Sequence, residues 1–390
     1  MQNEEDIIKL PIVSQALEKQ LYFFFGVASF LLSFTILRQM GFGRSVELVF
    51  FALLFIIFIS IALRRELLVN WAILPLGYIV CFLTPLTLLN VYDNFYGSNL
   101  QTLVALYLAT ICGYITSHLS FEKLQVLAYG IGSAGLVIAW WTVTNISDFD
   151  SLIRVSLLSE NPNQLALYSI TGIMVVNLLI ENTIARLVLS LGLLICGVVA
   201  FSDAFFLALL LGLAVYFLAQ SVLSMKFLIF GVPILLISAL ITTILVTSFV
   251  DFNLMSVILD FWREADQGNT RTNLYKNGFI AFTYSPFVGH GAGAFSGVQL
   301  PFSAFEAHNT PIDFGTMGGI FLVLIFYAPF LLSFFKFLHL DPIKSAVILA
   351  FIAFTMFHFI GRHPLVWIGW AICLKFSIDR VDIPSHKLLS

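Results

Sequence analysis

Residues 306–338 read EAHNTPIDFGTMGGIFLVLIFYAPFLLSFFKFL, and this stretch sets both the solvent and the chemistry of the chain. From Thr316 to Leu338 only Lys336 carries a charge. A run of that kind is long enough to cross a bilayer as a helix, which takes about 20 mostly apolar residues. Ahead of it, Thr310-Pro311-Ile312-Asp313 has the form of a helix start. Thr310 is the expected N-cap, Pro311 the first helical residue, and Asp313 closes a capping box. His308 and Asn309 sit just upstream, where unpaired backbone N–H groups and the helix dipole favour an anion. An imidazole at a helix end that suits an anion, or a histidine that only packs a loop: these residues alone leave both readings open.

The rest of the chain repeats the apolar theme. Of 390 residues, 59% are hydrophobic and 11% charged, with a mean hydropathy of +0.98. A soluble domain carries about 25% charged residues, so lipid is the expected solvent and a soluble globular class is excluded. The 41 Phe residues agree, since aromatic rings tolerate acyl chains and the interface. The net charge of −3 says nothing about nucleic acid, and no Lys/Arg run suggests it. Cys81, Cys112, Cys196 and Cys373 all lie in apolar runs without metal-type spacing, so no metal is expected. Glu4, Glu5 and Asp6 stand where a signal peptide has its basic region, so the first apolar run reads as a retained helix.

The expected fold is all-α: a polytopic membrane protein, one integral domain over 1–390, with about twelve spans. These are 21–37, 46–63, 68–89, 100–117, 124–144, 164–180, 184–201, 204–220, 226–249, 316–338, 343–361 and 364–378. Pro75 and Pro85 are positioned to kink the third. Twelve spans put both termini on one side. A cytoplasmic N-terminus then places twelve Lys/Arg inside and seven outside (Arg38, Arg44, Arg154, Arg263, Arg271, Lys276 and Arg362), as the positive-inside rule favours. The large loop at about 250–315, between the ninth and tenth spans, is then external, together with 145–163, Asp203 and Arg362-His363.

Within that loop, Asn253 to Trp262 reads as an amphipathic helix lying along the interface. Gln267-Gly268-Asn269 reads as a turn, followed by a helix from about Thr272 to Tyr284 that stops at Ser285-Pro286. Gly289, Gly291, Gly293 and Gly297 make a flexible or tightly turned stretch. His358, four residues before Arg362, is expected on the same helix face.

Two loop runs resemble a known family. Asn269 to Phe295 carries Arg271, an aromatic four residues on (Tyr275), then Pro286-x-x-Gly289-x-Gly291 and Phe295. Ala307-His308-Asn309 is followed about ten residues later by Gly318-Gly319 opening a span. Glu160-Asn161-Pro162-Asn163 resembles a weaker Asn-containing motif. These features are similar to those of the O-antigen ligase and O-antigen polymerase superfamily.

The resemblance implies a GT-C-type bundle in the bacterial cytoplasmic (inner) membrane. It implies a glycosyltransferase that takes glycan from an undecaprenyl-diphosphate-linked donor and passes it to another lipid-linked glycan or to lipid A core, without cofactor or metal. It assigns Arg271 to the diphosphate and His308 to the acceptor hydroxyl or the diphosphate. Glu306 and Asp313, which flank His308, are further candidate bases, with capping the simpler role for Asp313. Arg154, Asn163, Asp203, Arg263, Asn309 and Arg362 are candidate substrate-binding residues. The chain departs from the family at Ser202-Asp203, where members carry Ser-Arg. Arg154 and Arg362 are candidates to supply the missing cation, and Asp203 is a candidate acceptor-binding group or base. Displacement at an anomeric carbon needs a planar guanidinium for the departing diphosphate and a proton acceptor for the hydroxyl. A transporter of lipid-linked glycan, the rival class, is expected to show two related halves and charges near the bilayer midplane.

Overall fold

The computed structural model describes residues 15–32, 45–64, 70–92, 100–144, 162–221, 265–295, 305–338 and 340–378. Every regular element among them is helical: α1 (Gln15–Leu31), α2 (Ser45–Leu63), α3 (Ile73–Tyr78), α4 (Thr84–Tyr92), α5 (Leu100–Ser117), α6 (Phe121–Thr144), α7 (Pro162–Leu179), α8 (Thr183–Val199), α9 (Asp203–Ser221), α10 (Ala265–Tyr284), α11 (Thr310–Leu338), α12 (Pro342–Thr355) and α13 (Pro364–Ile378).

Six described helical stretches are long and apolar enough to cross a membrane: Ser45–Leu63, Ile73–Asn90, Leu100–Ser117, Phe121–Thr144, Asp203–Gln220 and Thr310–Leu338. Their outer faces, and those of shorter neighbours, expose large apolar side chains such as Leu48, Ile184, Leu187 and Leu210. Water would penalise that surface at roughly 25 cal/mol per Å², whereas acyl chains match it. This is a helical, polytopic membrane protein.

Most spans begin and end close to the expected positions. The expected span 226–249 and the amphipathic stretch Asn253 to Trp262 lie outside the described residues. The first helix starts at Gln15 rather than 21 and the third span's helix at Ile73 rather than 68, and two further differences bear on the site. The span expected at 343–361 ends at Thr355 as α12, and Met356 to His363 form a turn. His358 and Arg362 therefore share no helix face. The apolar run conceals the stop because another element makes it: Asn309 Nδ2 donates to Met356 O (2.8 Å) and Thr310 Oγ1 to His358 O (2.5 Å). Those carbonyls would otherwise be orphaned at the helix end. The loop helix starts at Ala265 rather than Thr272, so Gln267-Gly268-Asn269 is helical, not a turn. A helical Gly costs only about 1 kcal/mol and breaks nothing unless its φ turns positive.

The third expected span carries one π turn, Ile79–Leu83, between α3, which contains Pro75, and α4, which contains Pro85. Thr84 Oγ1 donates to Ile79 O at 2.8 Å across it. α11 is broken: Gly319 has φ 65° and ψ −171°.

That break is filled by the glycine-rich stretch, which is tightly turned, with positive φ at Gly289, Gly291 and Gly293. His290 N donates to Thr316 O (2.8 Å), Gly291 N to Met317 O (2.9 Å) and Ile320 N to Pro286 O (2.8 Å). Tyr78 Oη closes the gap on Gly318 O at 2.5 Å, and Ala292 N donates to Thr87 Oγ1 at 2.8 Å. Thr316 to Gly319 lie six to nine residues into α11, about 9–14 Å from its start. Irregular backbone at that depth persists only where protein satisfies it, and this loop does so.

The hydrogen bonds also sort the bundle's two ends. At one end, Glu18 pairs with Arg64 (3.1 Å) and Lys123 (2.9 Å), and Lys19 with Glu122 (2.9 Å). Lys336 caps Phe376 O (2.6 Å) and Lys375 caps Leu119 O (2.5 Å) there, cations on helix C-terminal carbonyls as the dipole favours. At the other end lie the starts of α11 and α13 and the end of α12.

Candidate functional site

The second end is built around the start of α11. The N-cap is Asn309, not Thr310: Ile312 N donates to Asn309 Oδ1 at 3.0 Å. Thr310 instead ties α11 to the Met356–His363 turn, donating to His358 O and accepting from Ile360 N at 3.2 Å. Both residues can cap, and the cap went to the one whose neighbour had a buried partner elsewhere. Asp313 does reach back, accepting from Ala307 N (2.8 Å) and Asn309 N (3.1 Å). It is fully buried. The group that occupies this helix N-terminus is therefore the chain's own carboxyl group, buried and accepting two backbone N–H bonds.

Pinning Ala307 and Asn309 forces the residue between them. His308 takes φ 54°, in the left-handed region, which His tolerates better than most non-Gly residues. Its side chain is 47% exposed, and its ring centroid lies 6.5 Å from that of His358. Glu306 turns to both neighbours, with Oε1 2.5 Å from Arg362 Nη1 and Oε2 3.9 Å from His308 Nδ1. Arg362 lies over the Phe359 ring, 6.0 Å from its centroid. Arg362 is open to solvent on its outer side, which screens the Glu306–Arg362 pair toward the roughly 0.2–1 kcal/mol of accessible ion pairs. It is a positioned pair rather than a structural staple.

The expected residues thus meet in part. Glu306, His308, Asn309 and Arg362 form one cluster. Asn163 lies in the first turn of α7, five residues before Tyr168, whose hydroxyl is 3.5 Å from His363 Nδ1. Asp203 opens α9 and is exposed; Arg362 meets Glu306 and not Asp203. Arg271 is in α10, two turns before Gly278, and its side chain lies outside the described structure. At Gly278, α10 crosses the first turn of α11, and Thr316 Oγ1 donates to Gly278 O at 3.3 Å. Arg154 and Arg263 lie outside the described residues. His290 is a buried loop residue, its Nε2–H donating to Ala281 O at 2.8 Å.

Two neighbours were not singled out from the sequence. Tyr168 is buried in α7, and its ring meets the His363 ring edge-on, centroids 5.7 Å apart. Burial, and then the adjacent Arg362 guanidinium, push His363 down to about 3. It is therefore neutral at any physiological pH. Nothing marks Tyr168 among the apolar residues of its span; His363 could have been found only by its place beside Arg362.

Two outcomes follow. His308→Asn keeps a residue suited to positive φ, so the melting temperature in detergent should stay near wild type while the imidazole's chemistry is lost. A large fall in melting temperature would show that the ring packs the loop. Because His363 titrates only near pH 3, His363→Gln should leave every inflection of an activity profile between pH 5 and 8 in place. Disappearance of an inflection would contradict the neutral assignment.

Among the described residues no group of His, Cys, Asp and Glu has the form of a metal site. Compared with models of known protein families and with characterised proteins, the chain finds no match.

Proposed function

We propose that this protein is a membrane glycosyltransferase that polymerises glycan from an undecaprenyl-diphosphate-linked donor, making a bacterial surface polysaccharide. The observation that carries this reading is the convergence of Glu306, His308, Asn309 and Arg362 at one end of the bundle. A cation for the leaving diphosphate and two candidate proton acceptors for an incoming hydroxyl lie within one cluster. That end is opposite the one holding Lys19, Arg64, Lys123, Lys336 and Lys375. By the positive-inside rule the lysine-rich end is cytoplasmic, so the cluster faces outward, where lipid-linked glycans are handled. Twelve spans, both termini cytoplasmic and a large external loop at 250–315 complete the topology.

In this mechanism an acceptor hydroxyl attacks the anomeric carbon of the donor. The bond from that carbon to the diphosphate oxygen breaks, and undecaprenyl diphosphate leaves against Arg362 and Arg271. The hydroxyl proton passes to His308 or Glu306. Transfer to lipid A core instead of a second lipid-linked glycan uses the same groups with a different acceptor. A transporter is disfavoured on a specific point. Its discontinuous helices present open ends to a substrate at the midplane, whereas the break in α11 is closed by the 285–295 loop.

Deleting the gene in its host and resolving surface polysaccharide by gel tests the reading. Loss of the length ladder with single repeat units retained is the expected result. Complete chains left on the lipid carrier would indicate transfer to lipid A core. Unchanged surface glycan would reject the proposal.

A further inference from the structure

Arg362 points its guanidinium at a carboxylate although the proposed chemistry needs it for a diphosphate. The surroundings explain how both hold. Phe359 supports the guanidinium from one side. The Glu306 side chain is only 18% exposed, whereas Arg362 is 38% and His308 47% exposed. A ligand thus reaches Arg362 and His308 from outside, with Glu306 behind them. The backbone around Glu306 does not need to move. Ala307 N and Asn309 N are both fixed on buried Asp313, and Asn309 and Thr310 are tied to the Met356–His363 turn. Exchange at Arg362 then asks only for rotation of the Glu306 side chain, whose second oxygen already faces His308 at 3.9 Å.

We infer that Glu306 is a resident stand-in for the donor's diphosphate on Arg362, displaced when the donor binds and thereby released to the acceptor side next to His308. This rests on the proposed function and adds its order of events. A partly exposed carboxylate pair is weak, while a diphosphate offers the planar fork two bidentate oxygens and more charge, so the exchange runs in the donor's favour. Before donor binds, the carboxylate is held by Arg362 and is a poor base. After exchange it is free to take the acceptor's proton as the glycosyl bond passes from diphosphate to acceptor oxygen. Deprotonation is thereby coupled to a filled donor site, which protects the donor from idle hydrolysis.

The test is binding of undecaprenyl diphosphate in detergent micelles by the purified full chain, without turnover. Removing the competing charge with Glu306→Gln should tighten binding about three- to tenfold, as a weak pair predicts. Arg362→Ala should weaken it about tenfold or more. In the Arg362→Ala background the Glu306→Gln gain should vanish, because both act at one place. Glu306→Ala serves where the glutamine variant folds poorly. Wild-type-like or weaker binding by variants that elute as wild type would overturn the inference while leaving the proposed function intact. Failure of the wild-type protein to bind any polyprenyl diphosphate would instead overturn the proposed function, and the inference with it.

Discussion

Arg362→Ala is expected to lower glycan transfer by about 100-fold or more while leaving the fold in place. Removing one preorganised donor of charge stabilisation costs about 10²–10³ in rate at an acyl-transfer oxyanion hole, and a cation facing a departing diphosphate is expected to matter at least as much. Arg362 has few substitutes among the described residues, since the exposed start of α9 carries Asp203 rather than a cation. The structural cost is small, because the side chain is 38% exposed and its partner pair is weak. The polysaccharide ladder from a deletion strain carrying the variant, set against the variant's melting temperature in detergent, separates the two effects. A normal ladder would remove Arg362 from the site. A melting temperature that fell with activity would make it a structural residue.

Gly319→Ala is expected to act on the fold instead. With φ 65° and ψ −171°, Gly319 occupies backbone space that is open essentially to glycine alone. A Cβ there would also overlap the Phe287 carbonyl and Val288 N, the strand of loop that fills the break in α11. The cost is expected at about 3 kcal/mol or more, from strain and from lost hydrogen bonds at membrane depth. Gly77 provides the matched control. It is also helical and apolar in context, but a Cβ added there meets nothing within 4 Å. Gly77→Ala should therefore be neutral or stabilise slightly, by up to about 1 kcal/mol. Melting temperatures of the two purified variants check this. Equal behaviour would show that the break in α11 is not held as described.

The six long apolar helices among the described residues were legible because lipid demands long apolar runs. Thus α5 begins and ends at Leu100 and Ser117 as its hydropathy indicates. What the sequence hid were boundaries decided by another element. Nothing between Ile343 and Gly361 signals a stop at Thr355; the signal lies in Asn309 and Thr310, which bind the turn's carbonyls. The choice of Asn309 over Thr310 as cap was hidden for the same reason, since both residue types cap helices and their distant partners differ. At the site, His308 and Glu306 could be placed on the page by their position before a helix start. The pairing of Glu306 with Arg362, 56 residues on in sequence, could not, because no period or motif connects a loop to a turn across two membrane helices. The glycines were visible as a group, but Gly289 and Gly319 became intelligible only together, as two sides of one close backbone approach.

The proposed activity is tested most directly by incubating the purified protein in detergent with an undecaprenyl-diphosphate-linked oligosaccharide from its own host and following products by mass. Longer lipid-linked glycans should appear together with an equal amount of free undecaprenyl diphosphate, without nucleotide sugar or added metal, and neither should form with Arg362→Ala. Donor recovered unchanged with the active-fold protein, or chain growth that persists in Arg362→Ala, would contradict it.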